Sequence, residues 1–427
     1  MSNRSPWVGI VALTAGAILV LSPGRPEDGP PPRAVEAPPA PAAVLPPLAI
    51  LTTAPLPPLP LLPSRLDLQQ EQDVEALVAA LRSPDATTRA TAACELGRLG
   101  ATAVTSARGE LLRLLADGTR VEGRLCREEG RWRGGRWDDS SPGREAALAL
   151  EELGTEVLPR LIEVLGGSDA IGRQNAAMAL GLIESSNAVE PLERVLAGDP
   201  VTLVRARAAW ALGMIESPLA IPSLARAVVR DGDAETRSQS AWALGMIEGA
   251  DGVPALSEAL RDAAPTVREQ AAWGLGMIEH ADAVPALADA MDDDHADVRE
   301  QAAWALGMIE HSGGVEPLVR GLRDPDARVR EQAAWGLGMI ESRQGTMGLI
   351  RALDDEDPEV RTQAAWALGM LEDPAAAGAL LDALEDESLA VQKQAIWALS
   401  RVIGKGDMDI DRSDLAARLR RALGRRP

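Results

Sequence analysis

The chain has 427 residues, of which 46% are hydrophobic but only 2% aromatic, and its formal net charge is −21. That length accommodates several domains or one long array, and an apolar fraction made largely of Ala and Leu favours helix over sheet. So acidic a chain is a poor match for nucleic acid; it suits a basic partner, or simply keeps the protein soluble.

Arg4 precedes an uncharged run from Ser5 to Gly24 whose apolar heart is Trp7 to Leu21. A spanning helix takes about 20 apolar residues, so the run is short for one. The following LVLSPGRP is a poor cleavage site. The expectation is a hydrophobic helix acting as signal anchor over residues 1–22, with the rest of the chain outside the cytoplasm. A cleaved signal peptide and a secreted protein are the alternative. Between Pro23 and Pro63 lie fifteen prolines in 41 residues. Proline lacks a backbone donor and blocks the preceding turn, so residues 23–65 read as a Pro-rich disordered linker. As a polyproline spacer it would reach up to roughly 130 Å; as plain low-complexity sequence it has no reach function.

The remainder is periodic. Tryptophans stand at 210, 242, 273, 304, 335, 366 and 397, and Met178, Leu148 and Cys94 hold the same slot in weaker copies. About ten units therefore run over residues 66–403, followed by a cap and tail over 404–427 that includes DLAARLRRALG. Each unit divides into two helical patterns. The first opens on a recurring proline (Pro191, Pro222, Pro254, Pro285, Pro317), which suits a first helical turn. An apolar stripe follows, such as Val315, Leu318, Val319 and Leu322, then an acidic turn, then a second helix such as VREQAAWALGMIEH.

On a helical wheel Val298, Ala302, Ala305, Leu306 and Ile309 cluster on the side that must face the first helix. Glu300 and Gly307 lie nearly opposite, Trp304, Met308 and Gln301 on one flank, Ala303 on the other. A glycine inside a helix costs about 1 kcal/mol relative to Ala, yet it recurs at 213, 245, 276, 307, 338 and 369. Something bulky must approach there, and the tryptophan of a neighbouring unit is the candidate. Aspartate and arginine six residues apart, as in Asp293 and Arg299, recur from Asp199 to Arg361, and the series ends at Gln392. They form a ladder able to join adjoining units by charge-assisted hydrogen bonds.

The unit AVPALADAMDDDHADVREQAAWALGMIEH, with its skeleton D…VR..AA.ALG.I, resembles the HEAT-like repeat of the phycobilisome-lyase type. The resemblance implies an all-α, right-handed α-solenoid of antiparallel helix pairs with the second helices on the concave face. It does not imply one function, since such proteins include scaffolds, bilin lyases and oxidoreductase-like relatives.

One segment breaks the period. Residues 119–143, inserted in the second unit, carry six arginines and two tryptophans. The alternation in Val121 to Cys126 and the GRWRGGRW run suggest a β-hairpin-like protrusion. Arg131, Trp132, Arg133, Arg136 and Trp137 are candidate partner contacts, since Arg and Trp dominate binding hot spots; a solvated, tolerated insertion is the alternative. Cys94 and Cys126 have no metal-site spacing; they either pair or stay as two small thiols.

No Ser/His/Asp set or phosphate loop is visible. His280 and His311, with Glu279 and Glu310, lack a third ligand at reachable distance, so no metal and no cofactor are expected. HEAT-like deoxyhypusine hydroxylases carry a His-Glu pair directly after the VR of the skeleton. Here that slot reads Glu269-Gln270, Glu300-Gln301 and Glu331-Gln332, so the resemblance does not extend to that iron site. Structural roles fall to Asp293, Arg299 and Gly307. Glu269, Glu300 and Glu331 form an acidic row beside Trp273, Trp304 and Trp335, suited to an Arg- or Lys-bearing peptide if the indole edges are exposed. The reading is a non-catalytic, membrane-tethered protein-interaction scaffold, touching membrane only through its N-terminal segment. Its partner is a protein or peptide, basic by charge complementarity. The alternatives are an enzyme relative, bilin-lyase-like or oxidoreductase-like, and a purely structural spacer.

Overall fold

A computed structural model describes residues 65–122 and 140–404. Within them stand twenty α-helices, alternating as the first and second helix of ten units. A representative unit has a first helix Val284–Ala290 and a second helix Ala296–Met308. Proline occupies the first turn of first helices at Pro159, Pro222, Pro254 and Pro285, where its missing N–H leaves nothing unsatisfied. Second helices are started by a carboxylate in several units: Asp169, Asp233, Asp326 and Asp357 each accept a backbone N–H of the first turn.

The core is one continuous seam along these units. Val298, Ala302, Ala305 and Leu306 are wholly buried, as are Leu287 and Leu318 of the flanking first helices. Second helices lie closely against one another from unit to unit, whereas first helices touch their neighbours sparsely. The second helices therefore form the inner, concave wall of an α-solenoid.

Why they come so close is written in the glycines. A Cβ at Gly276 would stand 2.5 Å from Cζ3 of Trp304, and one at Gly307 would stand 2.7 Å from Cζ3 of Trp335 and 2.7 Å from Cα of Gly336. The same clash, onto the tryptophan of the following unit, recurs at Gly181, Gly213, Gly245, Gly338 and Gly369. Each indole is seated on a hollow that only glycine leaves, so the helix-propensity cost of glycine is offset by aromatic burial.

The arginine ladder completes the seam. Arg299 donates through one terminal nitrogen to the Asp293 carbonyl, six residues back, at 2.8 Å. Its fork then takes both carboxylate oxygens of Asp324, in the next unit, at 2.7 and 2.9 Å. Asp293's own carboxylate receives Arg268 of the preceding unit at 2.6 and 2.8 Å. So the six-residue pair meets through a backbone carbonyl, while the ion pair crosses to the next unit. Gln392 ends the series by donating only to the Asp386 carbonyl, at 2.6 Å. In the second unit the arginine slot is Gly143, whose N–H bonds to the Asp117 carbonyl at 2.9 Å, so a backbone N–H takes the place of the guanidinium in that slot.

At the neck of the insertion Val121 and Ser140 form an isolated antiparallel bridge, and the Ser140 hydroxyl donates to the buried Glu145 carboxylate. Arg131, Trp132, Arg133, Arg136 and Trp137 lie outside the described residues, as do the residues 1–22 read as an anchor, almost all of the linker and the tail. Cys94 is disulfide-bonded.

The expectation of a membrane-anchored, extracytoplasmic protein is corrected here. Among the described residues no helix is long and apolar enough to cross a membrane. The longest have 16 residues, against about 20 apolar residues for a span. The solenoid itself carries no information on location.

Candidate functional site: the inner wall

Each second helix shows the concave side one strip of side chains, and stacking turns the strips into rows. In the unit of Trp304 the strip is Glu300, Gln301, Trp304 and Met308, all partly exposed. Trp273, Trp335, Trp366 and Trp397 are partly exposed as well. The structure thus brings together the row expected from the sequence: Glu269, Glu300 and Glu331 are half-buried beside Trp273, Trp304 and Trp335. The indoles do both jobs, with one edge over glycine and the other on the wall.

The acidic row is not uniform. Glu300, 23% exposed, is met by Arg328 of the next unit at 3.0 Å. Burial pushes the Glu300 carboxyl up from its ordinary value, Arg328 opposes that, and Asp297, Asp326 and Glu269 reinforce it. Glu331 is raised by burial and then by Glu359, Asp357 and Glu300.

A second row was not singled out in the sequence. Every second helix from the third unit to the ninth ends on a glutamate in the left-handed region: Glu184, Glu216, Glu248, Glu279, Glu310, Glu341 and Glu372, with φ between 47° and 55°. Glycine or asparagine is the usual choice there, and another residue costs about 1–2 kcal/mol. Burial and the neighbouring glutamates push the Glu216, Glu279 and Glu310 carboxyls up, so these side chains form one mutually repelling column. The signal was the E closing five copies of GMIE and the variants GLIE and GMLE; it escaped because a wheel assigns faces, not the conformation of the residue that ends a helix.

The last unit differs. Arg401 stands where earlier units have Met308, Met339 and Met370. Its guanidinium lies over Trp397, 5.4 Å from the ring centroid. It donates to the Gly369 carbonyl at 3.1 Å and to the Glu372 carboxylate at 2.6 Å. Glu372 is accordingly only 13% exposed, while the other six glutamates of the column are exposed.

The histidines have structural duties. The imidazoles of His280 and His311 accept backbone N–H groups of Asp282 and Gly313 at the start of short 3₁₀ turns. His295 lies with Asp293 and Asp294 in a group of metal-ligand type. The charge between Asp293 and Asp294 is supplied by Arg268, at 2.6 and 2.7 Å.

Comparison with known proteins agrees with this geometry. Sequence matches to HEAT repeats cover residues 158–245, 222–307, 292–346, 315–400 and 346–425, together more than half of the chain. The chain belongs to the HEAT-repeat family. A PBS lyase HEAT-like repeat matches residues 144–167 as well. No curated protein matches the chain. Among solved structures this HEAT-repeat protein is similar to importin beta, at 16% identity and TM-score 0.60, over 83% of this chain and 55% of that one. It is similar also to Kap95p in a complex with RanGDP, at 16% identity and TM-score 0.56, over 83% and 55% of the two chains. At such identity these likenesses show the fold, and the chain spans about half the length of those solenoids. The CpcE–CpcF phycocyanin lyase complex of Nostoc matches at 25% identity and TM-score 0.35, over 55% of this chain and 93% of that one.

Proposed function

We propose that this HEAT-repeat protein is a non-catalytic scaffold that holds a partner protein along the inner wall of its later units. The observation that carries the reading is the row of partly exposed indoles at Trp273, Trp304 and Trp335, bordered by half-buried Glu269, Glu300 and Glu331. Water-facing aromatic area beside fixed negative charge suits a basic segment, through ion pairs and cation–π contact. Importin beta and Kap95p are HEAT solenoids, and Kap95p is seen bound to RanGDP; extended concave surfaces are what such arrays supply.

The test uses the full chain, immobilised, with and without Glu269→Gln, Glu300→Gln and Glu331→Gln together. Capture of a basic partner that falls with the triple variant, and falls with added salt in the parent, supports the reading. Equal capture by both proteins removes this wall from the interface.

A further inference from the structure

The column of left-handed glutamates and the row of tryptophans meet in a geometry whose occupant is visible in one unit. Three features hold Arg401: the Gly369 carbonyl, the Glu372 carboxylate and the face of Trp397. The same three features recur at a constant interval in the units before it. Gly276, Glu279 and Trp304 form one such set, Gly307, Glu310 and Trp335 the next, and Gly338, Glu341 and Trp366 a third. In these sets a methionine replaces Arg401 in the chain, at Met308, Met339 and Met370. Among the described residues no cation pairs with Glu279, Glu310 or Glu341.

We infer that these three sets are arginine-side-chain receptors, and that the partner on the inner wall is an extended segment with an arginine at about every third residue. The inference rests on the scaffold reading and adds the chemistry of the ligand. Arginine is favoured over lysine by what Arg401 does. Nε bonds a carbonyl, a terminal nitrogen bonds a carboxylate, and the planar group stacks on an indole. An ammonium has neither the fork nor the plane. The spacing follows from helix packing: adjoining second helices stand about 8–10 Å apart, and a polyproline II segment rises about 3.1 Å per residue with three residues per turn, so every third side chain returns to one face after about 9 Å. Arginines three residues apart therefore fall on successive units. The methionines suit the role of yielding neighbours, being flexible, polarizable and uncharged. The glutamates' backbone fits it too. A left-handed residue ends the helix abruptly and is followed by extended backbone at Ser217, Gly249, His280, His311 and Ser342.

The test measures binding of short fluorescent peptides to the full-length protein by anisotropy. One peptide carries arginine at every third position, a second carries lysine at the same positions, and a third has the arginines of the first re-spaced to every second position. The first is expected to bind about ten-fold more tightly than the other two. Two variants then move affinity in opposite directions. Met339→Arg places a guanidinium over Trp335 and Glu310 from within the chain and weakens the first peptide. Arg401→Met opens the Glu372 set and strengthens it. Simple damage to the fold would weaken binding in both, and thermal melting of each variant reports such damage directly. Equal affinity for the arginine and lysine peptides, or no strengthening in Arg401→Met, overturns the inference. If that happens while the triple glutamine variant still loses its partner, the scaffold reading stands and only the arginine chemistry falls.

Discussion

The early and late parts of the inner wall are built on the same frame and present different surfaces. Trp210 and Trp242 are 1% and 8% exposed, whereas Trp273, Trp304, Trp335 and Trp366 are partly open. Beneath all of them the packing is alike: Gly181 and Gly213 are as closed to a side chain as Gly276 and Gly307. What changes is the strip above the indole. Arg207 lies over Trp210 at 5.4 Å and is itself 4% exposed. Burial, with Arg144 adding to it, pushes its guanidinium down to about 9. Residues four before the tryptophan are Ala206 and Ser238 in the early units, and Glu269, Glu300 and Glu331 later. Seating an indole on glycine is thus a requirement of the stack, and keeping its other edge open is a separate choice made only in the later units.

The largest effects break what the two parts share. Trp210→Ala and Trp304→Ala each empty a nest over glycine and are expected to destabilise by about 3–5 kcal/mol. Only Trp304→Ala should also weaken partner capture. Arrays can unfold unit by unit, so hydrogen exchange across the neighbouring helices is the readout, and equal loss of capture in both variants would erase the distinction. Arg330→Met leaves the Asp355 carboxylate, 10% exposed, without its cation. Stranding such a buried charge costs about 3–5 kcal/mol. Arg328→Met touches the exposed side of the same helix, where Arg328 is 54% exposed, and should cost about 0–1 kcal/mol. A chemical-denaturation comparison of the pair separates ladder from surface. Gly307→Ala comes next, at about 1–3 kcal/mol of overpacking against about 1 kcal/mol of regained helix propensity.

The smallest effect is a pH dependence with two opposite signs. In the ladder, burial raises Asp231, but the Arg205 hydrogen bond, the Asp233 N–H and the charges of Arg205 and Arg237 outweigh it, so the carboxyl ends below its ordinary value. A depressed folded value contributes stability that is present above the unfolded value of about 3.9 and lost as pH falls through the folded one. Glu279, Glu310 and Glu331 are raised by burial and by neighbouring acids. Between the ordinary glutamate value of about 4.3 and the raised ones the folded chain holds more protons than the unfolded. Its stability therefore falls as pH rises through that window. Melting temperature should rise on mild acidification from neutrality and drop once the ladder protonates. Glu279→Gln with Glu310→Gln should shrink the first limb, which Glu331 still feeds, and leave the second.

Much of this was legible along the chain. The interval between tryptophans gave the units, recurring glycines 28 or 29 residues before each tryptophan from Trp242 to Trp397 pointed to the nests, and the Asp-to-Arg interval pointed to the ladder. The acidic row beside the indoles was legible as well, because period and helical phase are properties of spacing alone. The direction of the ion pair was not: Arg299 is six residues from Asp293 and 25 from Asp324, and only stacking shows that the distant carboxylate is the one it grips. Nor was the left-handed glutamate column legible, since the side chain gives no hint of a positive φ. The insertion offered composition without position, and the N-terminal run offered hydropathy without a described helix.

Sequence by itself determined the repeat, the helix pairs and the identity of the residues that close the seam, because each unit carries its own periodic apolar stripe. Tertiary structure decided which of those residues face one another across units, which indole edges remain open to solvent, and that Arg401 fills in the last unit a place the earlier units leave to methionine. Those outcomes depend on the stacking of neighbouring helices, a relation between units that the text of any single unit does not contain.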